Sequence, residues 1–425
     1  MIDLNLIKDY YYDFLTDKHI YDKAYNYYKG QTDAIKYYQL VTERSNNKIN
    51  TNFVKKFVKE EVSYSVGNEV NYLSNKGNDS AIEDIQYNLS SWEEDHDSKL
   101  SKDMILFSKA YEVYYVNKQG EFRSKIISPR NGFEIRNKDG EVIYFVHVYS
   151  YGKNAKEQIY IDVYDDNNIY FFNDNFVEIK ERKPHIFGKV PVGIASLSDE
   201  GIYDTIYMDI KGLQDAFETN LSDISNEISD FRNAYLVFTG CEIDKKDATK
   251  MKKDGIMQIP VTDGKVSWLI KNINDTFIQN TLKTIEDKMY QITSHINHNE
   301  KLQSNTSSLA IRATLISLEE KCKLNQKALA NCIKSRIQFL FIFLYHMFNK
   351  EYDYKDIKLK FTPNIPQDDL MTAQIISQLG DKLSNETALS LLSFINNPSL
   401  ENKKALDEQL TQIEGQKLLD GVDDE

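Results

Sequence analysis

Between Gly264 and Phe348 no glycine or proline interrupts the chain. Those two residues are the usual breakers of helices. The stretch can therefore form long helices, and the polar segment Asn297–Asn305 is its natural break. Apolar spacing predicts one helix over 274–297 and another from Thr306 to Phe348. Uninterrupted, the second would extend roughly 65 Å at about 1.5 Å per residue, more than a small domain needs. A further helix is predicted over 204–232, where Asp204, Asp209, Asp215, Glu218, Asp223, Glu227 and Asp230 face only Lys211 and Arg232. From there to 271 the chain is β-rich and lysine-rich, with Lys245, Lys246, Lys250, Lys252 and Lys253 clustered ahead of Trp268. Over 306–348 the balance turns basic: Arg312, Lys321, Lys323, Lys327, Lys334 and Arg336 against Glu319 and Glu320. Long helices whose charge changes sign by segment, with no catalytic constellation on them, suit a scaffold.

The chain has 425 residues, enough for two or three domains' worth of core. Its net charge of −13 argues against a protein that coats nucleic acid. It is compatible with a wall that nucleic acid must slide past. Aromatic residues make up 12% of the chain, mostly tyrosine, which joins an apolar ring to a polar tip and suits half-buried sheets and subunit interfaces. Cys241, Cys322 and Cys332 have no metal-ligand spacing and read as reduced thiols. Asp3 and Asp9 stand where a secretory leader would be basic. The most apolar run, Phe339–Phe348, falls short of the about 20 residues a membrane span requires, so no membrane role is expected.

Residues 1–60 read as two helices around a turn at Tyr27–Gly30, with Asn50 or Thr51 capping the second. Helices follow over 79–92 and 98–109. From Ala110 the apolar period becomes two, and strands are expected over 111–117, 122–128, 132–137, 141–150, 158–164, 168–172 and 176–180. Asn/Gly/Asp turns separate them, which predicts one antiparallel meander ending at 183–191. The tail from 368 reads as polar helices ending in an acidic terminus. The fold class is α+β.

Two clusters could carry chemistry. Glu93-Glu94-Asp95-His96-Asp97 holds the residue types of a metal or nuclease site. Consecutive side chains rarely face one point, so a solvated charge run is the simpler reading. His295 and His298 lack an obvious third ligand. Phosphate-loop and nucleophile-elbow motifs are absent. No enzyme activity, metal or cofactor is therefore expected.

Taken in order, several short motifs resemble the portal proteins of tailed bacteriophages, of the type common in phages of Gram-positive hosts. They include Tyr27-Tyr28-Lys29-Gly30, Asn46-Asn47-Lys48-Ile49, Asn52-Phe53-Val54-Lys55-Lys56-Phe57-Val58, Ala110-Tyr111-Glu112, Ile127-Ser128-Pro129, Phe187-Gly188-Lys189-Val190-Pro191, Leu213 with Asp215 and Ala216, and Phe361-Thr362-Pro363-Asn364-Ile365-Pro366. Ser108 departs from the pattern, which usually has glycine before the Ala-Tyr-Glu; so does Ser307-Ser308-Leu309-Ala310, which lacks a glycine. The C-terminal region is short for the family.

The resemblance implies a portal fold: a wing of helices and antiparallel sheet over 1–200 and 306–367, a helical stem over 201–234 and 274–297, a small α/β clip over 235–273, a tunnel loop over 298–305, and a short helical crown with an acidic tail over 368–425. It implies a homo-oligomeric ring, dodecameric or with one subunit more when isolated, at one capsid vertex of the virion and in the host cytoplasm during assembly. Double-stranded DNA would pass through without sequence-specific binding. The partners would be the terminase large subunit, the head–tail adaptor, and the major capsid and scaffolding proteins. His298, Asn299, Glu300, Lys301, Gln303, Ser304 and Asn305 would face the DNA channel; Lys245, Lys246, Lys250, Lys252, Lys253 and Trp268 would form the clip's partner surface. The rival readings are a metal-dependent nuclease and another virion ring or scaffold component.

Overall fold

A computed structural model describes residues 2–39, 45–152, 158–231, 235–239, 265–269, 275–297, 308–362, 369–392 and 398–420, and a few isolated positions between them. The chain divides into two compact units: Met1–Tyr25, Lys56–Met208 and Ser294–Glu425 form the first, Asn26–Lys55 and Asp209–Thr293 the second.

The first unit is built on two antiparallel sheets. Strands β2 (Lys109–Val116), β3 (Phe122–Ile127) and β9 (Val192–Ser196) form one, in the order β3-β2-β9. Strands β4 (Gly132–Arg136), β5 (Val142–Tyr151), β6 (Gln158–Tyr164), β7 (Asn168–Asn173) and β8 (Glu178–Pro184) form the other, in sequence order. The expected single meander is thus split. Strand β2 takes β9 on its free edge, with Tyr111 opposite Ile194, so the chain returns to the sheet just after the segment 183–191 expected to end it. A short ladder adds a third pairing, β1 (Asn71–Ser74) with β12 (Ile357–Lys360).

Alternation decides what each sheet buries. In the five-stranded sheet Ile135, Val146, Val148, Ile161, Val163 and Phe172 share one face. Helix α1 (Leu4–Tyr28) covers that face with Ile7, Tyr11 and Phe14. The other core gathers Tyr114 and Phe122 of the three-stranded sheet, Phe187, and Ala81 and Ile85 of helix α4 (Asp79–Leu89) around Phe339, Leu340, Phe343 and Leu344. Those last four lie on the long helix (Ser308–Phe348). Its stretch Leu315–Phe348 is long and apolar enough to cross a membrane by composition, but its most apolar window is 61% buried inside the protein, as in a core helix. Gly193 is required on β9 because a Cβ there would collide with the Tyr114 hydroxyl and the Cys332 sulfur.

The second unit is held by one helix face. Helix α6 (Ile206–Phe231) buries Gln214, Glu218, Ser222 and Asn226, four residues apart. They take the backbone of the segment leading into the next helix (Phe53–Val66): Asn47 N–H donates to Asn226 (2.6 Å), Ile49 to Ser222 (2.9 Å), Thr51 to Glu218 (3.0 Å) and Val54, in the first turn of that helix, to Gln214 (3.3 Å). For the first three the periods match: four helical residues rise about 6.0 Å and two extended residues about 6.6 Å. Asp215 accepts from the Tyr27 hydroxyl (2.8 Å) and the Ala34 N–H (3.2 Å), and Asp223 from Tyr38 (2.6 Å). Three of the acids that made this helix look like a repulsive wall are therefore structural acceptors. Helix α7 (Asp275–Thr293) joins the unit through Tyr290, whose ring meets Phe53 edge-on at 6.1 Å, as Phe217 does at 5.5 Å. The clip segment contributes the antiparallel pair β10 (Tyr235–Thr239) and β11 (Lys265–Leu269). Of the remaining short helices, α2 (Asp33–Tyr37) is capped by Thr32; α9 (Asp369–Leu379), α10 (Asn385–Ser390) and α11 (Pro398–Asp420) make up the tail.

Helix α5 (His96–Phe107) ends at Ser108, which is fully buried and left-handed at φ +63°. This is the position where the resemblance expects glycine, the residue that adopts this conformation without a Cβ penalty. The Ser108 hydroxyl also has no hydrogen-bond partner. Replacing Ser108 with glycine is expected to stabilise the protein by about 1 kcal/mol, read as a higher denaturant midpoint at unchanged slope. Alanine at the same position keeps the Cβ and gains much less.

Candidate functional site

The tunnel-loop residues His298, Asn299, Glu300, Lys301, Gln303, Ser304 and Asn305 lie outside the described residues; the described chain before them, and the long helix some turns after them, both pack on helix α3 (Phe53–Val66). Upstream, Ser294 takes a left-handed backbone (φ +61°) and ends α7. His295 is then buried, its ring stacked on Phe57 at 4.3 Å. Its Nε2 lies 3.2 Å from the Phe57 carbonyl and 3.8 Å from the Glu61 carboxylate. Downstream, the long helix, α8, reaches the same carboxylate. Lys321 Nζ pairs with Glu61 at 2.8 Å, and Asn325 donates to it at 2.7 Å. Gln326 donates to the Ser65 carbonyl at 3.1 Å, and Leu318 and Cys322 pack on Tyr64. Glu61, 1% exposed, is thus met by His295 and by Lys321 and Asn325 of the long helix. Sequence reasoning missed it. The available signal was Lys321 and Asn325, one turn apart on the helix face that also carries Leu318 and Cys322.

In the segment expected to form a clip, the ladder sets Leu236 opposite Trp268. Lys246 and Lys250 are exposed, while Lys245, Lys252 and Lys253 lie outside the described residues.

The acidic patch is divided among separate partners. Glu93 and Asp95 both pair with Lys99. His96 and Asp97 turn inwards. Arg336 of α8 is 2% exposed, and its guanidinium bonds Glu112 on β2 (3.0 and 3.1 Å) and Asp97 on α5 (2.7 Å). Glu112 also meets His96 Nε2 at 2.7 Å and accepts from Ser124 (3.0 Å) and Tyr114 (2.9 Å). The Trp92 ring lies over the guanidinium at 5.2 Å. Burial alone would raise the Glu112 pKa, but Arg336 and His96 outweigh it and hold the carboxyl at about 2. Among the described residues no three His, Cys, Asp or Glu side chains are grouped to hold a metal ion. The patch reads as a structural salt-bridge network.

The profile of the family described as Phage portal protein, SPP1 Gp6-like, matches residues 7–415. The chain belongs to this family. It is a phage portal vertex protein, a structural class that is in general not enzymatic. Two solved structures are also similar at 9% identity. One is a chain in the virion of a native gene transfer agent particle, with a TM-score of 0.46 over 79% of this chain and 88% of that one. The other is in the neck of an empty gene transfer agent particle computed with C6 symmetry, with a TM-score of 0.47 over 79% and 89%. No curated protein matches the sequence.

The Glu112 network makes a pH prediction. A depressed carboxyl pKa contributes stability that is present above the unfolded value, near 4.5, and is lost as pH falls towards about 2. Wild-type stability should fall across that window by on the order of 3 kcal/mol from this group. Glu112→Gln should be destabilised by about 3–5 kcal/mol at neutral pH, because it leaves the buried guanidinium underpaired, and should show a flatter acid dependence. Denaturant melts at pH 7, 5 and 3 measure both. An unchanged acid slope in the variant would place the titration elsewhere.

Proposed function

We propose that the protein assembles as a closed ring of about a dozen copies at one capsid vertex. DNA is packaged inwards and later ejected through this ring. The family match over residues 7–415 is the observation that carries this reading. The wing is assigned to 1–200 and 306–367, the stem to 201–234 and 274–297, the clip to 235–273 and the crown to 368–425. The clip, with Lys245, Lys246, Lys250, Lys252, Lys253 and Trp268, docks the terminase large subunit and then the head–tail adaptor. Major capsid and scaffolding proteins surround the wing. Assembly takes place in the host cytoplasm.

The segment 298–305 projects towards DNA as a collar. Its polar composition, with Glu300 beside Lys301, suits contacts to phosphates that are weak, salt-sensitive and blind to sequence. The nuclease reading is disfavoured by the acidic patch, whose carboxylates are committed to Lys99 and Arg336.

Deleting Gln303 to Asn305, or making Lys301→Glu, should leave rings and capsids intact while lowering the packaged genome per capsid several-fold in a complementation assay. Full genomes at wild-type levels in both variants would show that the segment is only a connector.

A further inference from the structure

Two exposed surfaces of the first unit are complementary in charge. The first is the outer stripe of α1. Its inner face (Ile7, Tyr11, Phe14) lies on the five-stranded sheet, so Asp9, Asp13 and Asp17, one turn apart, point away from it. Tyr12, 64% exposed, sits within this acidic stripe, and Tyr10 and Leu15 flank it. The second is strand β8, the free edge of the same sheet, every residue of which is exposed. Along it Lys180, Arg182 and Lys183 outnumber Glu178 and Glu181, and the exposed Val177 and Ile179 lie at its start. The three acids span about 12 Å along the helix and the three cations about 10 Å along the strand. An open edge next to exposed aliphatic side chains is a surface that proteins ordinarily cover.

We infer that the α1 stripe of one copy docks on the β8 edge of the next copy. A closed ring needs a heterologous contact, in which one surface of each subunit meets a different surface of its neighbour. The acidic, tyrosine-bearing helix face and the basic, aliphatic strand edge form such a pair. The inference rests on the ring reading and names its wing contact. A second copy is the occupant that the charge match favours, since the helix stripe is acidic and the cations of the strand edge outnumber its two acids.

The test uses the full chain in two variants, Asp9→Lys/Asp13→Lys and Arg182→Glu/Lys183→Glu. All four positions are exposed, so circular dichroism melts should match wild type. Native mass spectrometry at low salt is expected to show each variant alone losing closed rings at least tenfold relative to wild type. A one-to-one mixture should recover them, because the reversed helix of one variant meets the reversed strand of the other. The recovered rings should hold even numbers of subunits with the two variants in equal amount. A chain carrying all four substitutions should also form rings. Wild-type rings with undiminished rings in both variants, or no recovery on mixing, overturn the contact while leaving the ring reading intact. A wild-type chain that forms no ring overturns both.

Discussion

Arg336 carries a charge at a depth where a lone cation would be severely penalised. Glu112 and Asp97 make it tolerable, and the geometry this imposes organises the first unit. Arg336 belongs to the long helix α8, Glu112 to the central strand of the three-stranded sheet, and Asp97 to the first turn of α5. Removing any one partner strands a buried charge, so the three elements hold their mutual register. His96, Ser124 and Tyr114 occupy the remaining acceptor positions of Glu112 and shield it from water. With α8 set against the sheet at Arg336, its upstream turns reach α3, where Lys321 and Asn325 meet Glu61. The helix thus links the core around Arg336 to helix α3.

A different device holds the second unit. The segment around Asn47–Thr51 is extended but joins no sheet, so its N–H groups need other acceptors. Glu218, Ser222 and Asn226 supply them from one helix face, at a spacing that matches an extended chain, and Gln214 takes the N–H of Val54 in the next helix. A helix that reads as acidic is in part a row of hydrogen-bond acceptors turned inwards. Burying carboxylates in this way reduces the charge left at the surface of the helix without removing its polarity.

Much of the architecture could be read from periodicity. The long helices at 206–231, 275–293 and 308–348 lie within the expected spans, because uninterrupted apolar spacing is a strong local signal. The strands from 109 to 184 were legible for the same reason. The division into two sheets was not. It depends on β9 pairing with β2 across about eighty residues, and a five-residue strand carries no local record of its partner. The ladder between 71–74 and 357–360 was hidden for the same reason. At the candidate site, the polar break at 298–305 was plain, whereas the meeting of His295, Lys321 and Asn325 at Glu61 was not. Glu61 looks like one of two adjacent exposed glutamates until tertiary packing buries it. His96 and Asp97 were legible as chemistry-bearing types, but only the fold shows that they turn towards Arg336 while Glu93 and Asp95 turn towards Lys99. Ser108 stood out as a departure from the family pattern, and its left-handed backbone supplies the physical reason that glycine is the usual residue there.

The central claim is that DNA passes through a ring of this protein alongside residues 298–305. Site-specific photo-crosslinking in DNA-filled particles tests it most directly, with the photoreactive group placed at Gln303 and, as a control, at Tyr87, which is exposed on α4. The account predicts protein–DNA adducts at Gln303 that are independent of sequence along the genome, and background levels at Tyr87. No adducts at Gln303, or equal yields at both positions, would contradict it.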